Sequence, residues 1–513
     1  MTDVVFVFEV HQPFRIGKDY FWEHKMFRRL RKDELFRYYF DENLNRAMFE
    51  KAREKCYLPA NRLILNLIDQ YRHEKKKVKV SYSISGIFIE QCERFGKDVL
   101  EYFKQLAETG CVEFLDQTYN HSLCSLYPVK DEFTEQVNFH RQAMKALFHF
   151  EPVVFENTEL LYNNEIAKAV EEMGYIGIYT EGVERILKDM PPNHVYRAKN
   201  CKKLRVLLRN YKLTDDIGFR FSAMWWPEWP LTAGKYAYWL AATPGQCINI
   251  FPDYETFGEH HWPETGIHRF LAELLPRILE HKHLNMATPS EVIRKCEPVG
   301  YVDIPDLSTI SWSGLERDTS CWLGNTMQWA YYTMVRDMEP LVKESQDPDF
   351  IQTWRHLQIS DHLYYMYTAG GAPGEVHSYF NPYKKPVDAF VTCQGALTDF
   401  EMRLRLFTVA AREPFKFYVG TEENKYTGVN AWSLKGFIEA ASRINIESIG
   451  FHNRRGDFER WVKFSLGNAE FAEELRRIGG SGLEGEALRA AIVQTANRHF
   501  TELNEKGRVL GYY

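Results

Sequence analysis

The chain opens on Val4-Val5-Phe6-Val7-Phe8-Glu9-Val10, a run that is almost wholly apolar, β-branched or aromatic and that halts at His11-Gln12-Pro13. Such a run fits a strand buried on both faces, as in a parallel sheet or barrel, and proline marks the turn out of it. The pattern returns as VKVSYSI at 78–84, CVEFL at 111–115, VVFEN at 153–157, IGIYTEG at 176–182, KLRVLLR at 203–209 and CINIFPDYE at 247–255. Helical periodicity fills the intervals, including about 33–56, 60–74 and 87–109. Strand, loop and helix alternating about seven times over about 290 residues predict an α/β barrel. Functional side chains of such a barrel sit just past the strand ends, on one rim.

After Met286-Ala287-Thr288-Pro289-Ser290 the pattern changes. A loop over 296–311 leads into aromatic-laced helices at about 320–345, 350–369 and 386–411. From Glu413-Pro414 short strands such as FKFYV precede helices at about 431–444, 457–466 and 486–505, with Gly479-Gly480-Ser481-Gly482 as a joint. At 513 residues the chain is too long for one ordinary domain. The predicted divisions are a barrel over 1–295, a helical domain over 296–411 and a small α+β domain over 412–513.

With 64 Lys+Arg against 70 Asp+Glu, the net charge of −6 gives no basic surplus of the kind that binds nucleic acid. No stretch approaches the roughly 18 apolar residues needed to cross a bilayer, so no membrane partner is expected. The N-terminus carries no basic leader, which predicts a cytoplasmic protein. Nine cysteines without a C-x-x-C pair predict reduced, mostly buried thiols. Aromatic residues, at 15%, stand high, and either core packing or stacking on sugar rings accounts for them.

Five places look unusual for structure alone. His11-Gln12-Pro13 closes the first strand; a histidine there serves as ligand, substrate contact or turn residue. Glu113 within the third strand and Asp116, Asn120 and His121 after it are polar groups that, taken alone, read as structural rather than catalytic. Just after FENTELL at 155–161, Asn163, Asn164 and Glu165 read as helix caps, whereas Glu159 within it sits at the strand exit, facing the rim. Asp253, Glu255, His260, His261 and Trp262 form a dense cluster after the seventh strand, and Trp225, Trp226 and Trp229 crowd a proline-bounded loop. Two carboxyls converging among aromatics suit glycoside cleavage, in which one protonates the leaving oxygen and the other attacks the anomeric carbon. A rival reading assigns His11, Asp116, His121, His260 and His261 to a metal, but no H-x-x-x-H or H-x-D occurs at a strand end to preorganise it.

The ordered segments HQP at 11–13, GCVEFLDQTYNHSL at 110–123, FENTELL at 155–161, DYETFGEHHWP at 253–263 and TPSEVI at 288–293 resemble the motifs of glycoside hydrolase family 57, the α-amylase and glucanotransferase family. The resemblance implies a distorted (β/α)7 barrel, a helical domain that completes the active-site cleft and a small α+β C-terminal domain. It implies a retaining mechanism on α-1,4-glucosidic bonds with no cofactor and no metal, acting on an α-glucan or maltooligosaccharide. It places the nucleophile at Glu159 and the acid at Asp253. The substrate contacts it suggests are His11, Gln12, Asp116, His121, Trp226, His260, Trp262, Trp312, Asp318, Trp322 and Asp361. A 4-α-glucanotransferase would use the same residues, and a catalytically silent glucan-binding protein is the alternative of another class. In the tail, His452, Arg454, Arg455, Asp457 and Trp461 are expected to be structural rather than glucan-binding. Oligomeric state is not legible.

Overall fold

The computed structural model describes residues 1–18, 28–188, 190–369 and 381–510. Seven parallel strands carry the predicted barrel: β1 (Thr2–Val10), β2 (Val80–Ile84), β3 (Val112–Leu115), β4 (Val154–Glu156), β5 (Gly177–Glu181), β6 (Arg205–Arg209) and β7 (Cys247–Ile250). Ladders join β1 to β2, β2 to β3, β4 to β5, β5 to β6, β6 to β7 and β7 back to β1. The remaining seam, β3 to β4, is one bridge between Asp116 and Phe155, which closes the ring. The barrel is distorted at the start of β1, where Leu284–Met286 adds in parallel alongside Thr2–Val4.

The period of two in a strand explains why β1 is apolar throughout. Val4, Phe6, Phe8 and Val10 face a cluster with the outer helices, including Phe49, Tyr57, Phe88 and Phe270. Val5 and Val7 face another, with Leu115, Val154, Tyr179, Leu207 and Phe251. Gly177 lets the helix Pro289–Lys295 approach β5, since a Cβ there would stand 2.2 Å from the Ile293 Cδ1 atom. The helix expected over 87–109 is two, Gly86–Phe95 and Lys97–Glu108, with Ser85 capping the first through Phe88 N–H.

Contacts gather the chain into two compact units, each assembled from separated stretches. One comprises Met1–Arg15, Asp41–Trp329 and Gln358–Ala389; the other comprises Ile16–Phe40, Ala330–Leu357 and Phe390–Tyr513. The second contains the antiparallel pair Ala410–Tyr418 and Tyr426–Ser433, over a core that includes Phe415, Phe417, Phe437, Trp461 and Phe471. The helix expected from 431 starts at Leu434, because Ser433 ends the strand and caps it. His452 accepts from Tyr418 N–H at 2.8 Å and pairs with Asp457 at 2.8 Å, so it ties the hairpin to a helix. Among the described residues no helix is long and apolar enough to cross a membrane.

Candidate active site

One pocket at the C-terminal ends of the barrel strands is lined by Glu9, His11, Gln12, Pro13, His121, Glu159, Asp253, Glu255, His260, Trp312 and Asp361. Larger cavities of about 650 Å³ beside Arg72 and His73, and about 390 Å³ around Tyr211 and Arg220, bring no carboxyl together with paired imidazoles. Chemistry rather than volume identifies the site.

Glu159 follows β4 in a tight turn, Thr158–Leu160, with φ of 60° at Glu159 and 52° at Leu160. Non-glycine residues occupy that left-handed region at a cost, and such positions cluster at functional sites. The turn is held from several sides. Asn157 Nδ2 donates to Leu161 O at 2.8 Å and to Ser125 Oγ at 2.9 Å, while Ser311 Oγ donates to Glu159 O at 3.0 Å. The carboxylate receives Trp312 Nε1–H on Oε2 at 2.8 Å and Ser360 Oγ–H on Oε1 at 2.9 Å. Two neutral donors aimed at one buried carboxylate hold its charge and its direction.

His121 Nε2 lies 3.7 Å from Glu159 Oε1, and its ring stacks on His11 with centroids 3.8 Å apart. Burial and the charge of His121 push His11 down to about 4, so the ring is neutral near pH 7. Neutral His11 then donates from Nε2 to Asp361 Oδ2 at 3.1 Å and accepts at Nδ1 from Ser85 Oγ at 2.7 Å. For His121 burial opposes the charge, but the hydrogen bond and charge of Glu159 outweigh it and raise its pKa.

Asp253 follows β7 and pairs as a bridge with Glu9, whose N–H donates to Pro252 O at 3.1 Å. Its loop is clamped by Gly258 at φ 140°, where a Cβ would stand 1.9 Å from Lys55 O, so only glycine fits. Glu255 accepts from Tyr57 O–H; burial, then the charge of Asp253, pushes it up to about 8. Glu156, bonded by Ser83 Oγ at 3.0 Å, is pushed by burial up to about 7, and burial together with Glu156 raises Glu9. The pocket thus combines a donor-stabilised carboxylate with carboxyls that keep protons near neutrality, which suits acid–base chemistry on a hydroxyl-rich substrate.

Of the expected site residues, Glu159, Asp253, His11, Gln12, His121, His260, Trp312 and Asp361 come together here. Five stand apart. Asp116 is fully buried at the β3–β4 seam, accepting from Tyr175 O–H and bonded to His140 Nδ1, with Arg141 at 3.5 Å. The family resemblance suggested a substrate contact here; the helix Asp131–Phe148 supplies a buried histidine that claims Asp116 instead. Asp116→Ala is expected to cost about 3–5 kcal/mol, since it strands buried partners. Denaturant titration checks this, with activity per folded molecule unchanged; reduced activity at full stability would restore the substrate contact.

Trp226 packs edge-on to Trp239 at 6.1 Å, while Trp225 and Trp229 are exposed, so the tryptophan loop does not line the pocket. Trp262 is exposed under Lys55 Nζ at 4.6 Å from its ring. Trp322 is buried near Tyr364, and Asp318 accepts from Ser320 N–H. His261, from the rival metal set, is bonded to Ser222 Oγ and to Ile217 O and Gly218 O. Among the described residues no group of three or more His, Cys, Asp or Glu is placed to hold a metal ion. Glu9 was missed, although a lone carboxylate near the end of an apolar strand was an available signal; Ser360, next to the expected contact Asp361, carried no signal of its bond to Glu159.

The model of glycosyl hydrolase family 57 matches residues 5–305. A Methanocaldococcus jannaschii protein named "Putative alpha-amylase" is 44% identical over 410 residues, covering 78% of this chain and 85% of that one. An alpha-amylase of Pyrococcus abyssi is 24% identical over 50% of this chain and 38% of its own length. Among solved structures, a GH57-type branching enzyme from Pyrococcus horikoshii superposes with TM-score 0.55 at 14% identity, covering 80% of this chain and 90% of that one. A 4-alpha-glucanotransferase from Thermococcus litoralis gives 0.52 at 16% identity, over 81% and 61%. These likenesses confirm the barrel fold, and the family match spans more than half the residues. The chain belongs to glycosyl hydrolase family 57.

Proposed function

We propose that this pocket cleaves α-1,4-glucosidic bonds of an α-glucan with retention of configuration, as an α-amylase-like hydrolase. Glu159 attacks the anomeric carbon while Asp253 protonates the departing glycosidic oxygen; the C–O bond breaks and a glycosyl ester on Glu159 forms. Asp253 then takes a proton from water, whose oxygen attacks the same carbon and releases Glu159. The observation that carries this reading is that Glu159 and Asp253, from the exits of β4 and β7, line one pocket with Glu159 held by Trp312 and Ser360. Asp361, oriented by the N–H of neutral His11, offers a carboxylate acceptor to sugar hydroxyls. The 44% identical relative's name favours hydrolysis.

Chromatography of products from maltoheptaose tests it: shorter sugars alone are expected. Longer sugars would assign transfer to another glucan, and tight binding without products would assign a silent glucan binder.

The pH profile is a separate check. Glu255 keeps its proton up to about 8, and Asp253 is one cause. As pH rises through that value Glu255 loses its proton and places a second negative charge beside Asp253. An alkaline fall in kcat/KM near pH 8 is therefore expected, and Glu255→Gln is expected to displace it. A limb that stays in place in that variant would assign the fall to another group.

A further inference from the structure

Outside the pocket lies a buried lattice of two guanidiniums and two carboxylates. Arg209, at the end of β6, donates from Nη1 to Glu181 Oε2 at 2.8 Å and from Nη2 to Asp215 Oδ1 at 2.7 Å. Arg317 donates from Nη1 to the same Glu181 oxygen at 2.8 Å and from Nη2 to Asp215 Oδ2 at 2.9 Å. Glu181 ends β5, and Asp215 sits on the helix Tyr211–Gly218. No side chain of the four is more than 13% exposed, so each charge depends on its partners.

Two further bonds run from the lattice to the loops of the site. Arg209 Nε donates to Phe251 O at 2.8 Å, ahead of Asp253, and Arg317 Nη1 donates to Trp312 O at 2.5 Å. The Trp312 ring lies between Phe251, at 6.1 Å, and the Arg209 guanidinium, at 5.7 Å from its centroid. The far end of that indole is the N–H donated to Glu159. The loop itself has little regular structure: Gly314 and Arg317 both take positive φ, and Ser311 N–H bonds Arg317 O at 3.2 Å. Its shape depends on what anchors it: bridges of Ile310 to Tyr162 and Asp318, Arg185 on the carbonyls of Glu316 and Arg317, and, nearest the indole, the Arg317 guanidinium on Trp312 O.

We propose that Arg209, Arg317, Glu181 and Asp215 are positioning residues, which set the Trp312 indole and through it the hydrogen bond on Glu159. None of the four approaches the reacting atoms, and the proposal rests on Glu159 as nucleophile. The arginine fork is what matters: Nη1 reaches Glu181 and Trp312 O while Nη2 reaches Asp215, whereas lysine keeps the charge on a single nitrogen without that span.

The test combines kinetics with a signal that needs no substrate. The enzyme is labelled with 5-fluorotryptophan, and the Trp312 fluorine resonance is assigned by its loss in Trp312→Phe. In the unsubstituted enzyme it is expected to shift with pH, and Glu159→Gln to abolish that titration. Arg317→Ala and Arg317→Lys are expected to broaden the resonance and weaken its titration, with Arg317→Lys, which preserves the buried charge, the milder. In kinetics Arg317→Ala is expected to lower kcat about 10²-fold with KM little changed, as misplaced catalytic groups do. Its acid limb should move to higher pH, because a donor to the carboxylate is lost. The double variant with Trp312→Phe should fall no more than about twofold below Trp312→Phe alone, because both changes break one connection. Multiplying losses, or a wild-type fluorine titration in both Arg317 variants, would overturn the proposal. An unsubstituted enzyme that turns over no glucan would remove the functional reading, while the fluorine titration would still decide the lattice.

Discussion

Glu159→Gln is expected to lower turnover of maltooligosaccharides by about 10⁴-fold or more, the largest effect of any single change, because the nucleophile itself is removed. The amide is isosteric but cannot form a stable glycosyl ester. It also brings an N–H toward one of two groups that are both donors, Trp312 Nε1–H and Ser360 Oγ–H, so the turn relaxes locally. Binding of maltoheptaose should change little, since the sugar contacts offered by Asp361 and His121 remain. Isothermal titration and single-turnover kinetics separate the two. Turnover within tenfold of the unsubstituted enzyme would remove Glu159 from the nucleophile role.

Asp253→Asn ranks second, with an expected loss of about 10³-fold on maltooligosaccharides, within the range for general acid–base catalysis. The loss should depend on the leaving group. A sugar alkoxide needs the proton of Asp253, whereas fluoride departs without one. The variant is therefore expected to keep glycosylation by α-glucosyl fluoride near the unsubstituted rate while the following hydrolysis, which also needs Asp253 as base, slows. An equal loss on both substrates would mean that Asp253 positions the sugar and does not transfer the proton.

The barrel was legible because each strand is buried on both faces, which leaves a continuous apolar run ending at a polar turn. That signal is local, and all seven runs hold strands. The rim rule then drew attention to Glu159, to the Asp253 cluster and to His11, and the family motifs added His121. The motifs also suggested Asp116, whose partners His140 and Tyr175 lie on separate elements that no local pattern connects. The same gap hid Ser360, which is 201 residues from Glu159 along the chain yet bonds its carboxylate. Trp312 was in view as a cleft residue, but its bond to Glu159 and its dependence on Arg317 arise only when the loop folds over the barrel. Composition was a poor guide at the loop of Trp225, Trp226 and Trp229: many indoles in a short proline-bounded segment suggested a cleft or contact, and the pocket takes only Trp312 from the six tryptophans considered.

Mass spectrometry of Asp253→Asn exposed to α-glucosyl fluoride tests the central claim most directly. Fluoride leaves unaided, the base that would activate water is gone, and the covalent intermediate should accumulate. The expected result is one added glucosyl group per chain, mapped by peptide digestion to Glu159 and absent when Glu159→Gln is added. Consumption of the fluoride with no adduct, and with release of the inverted β-sugar, would contradict the account.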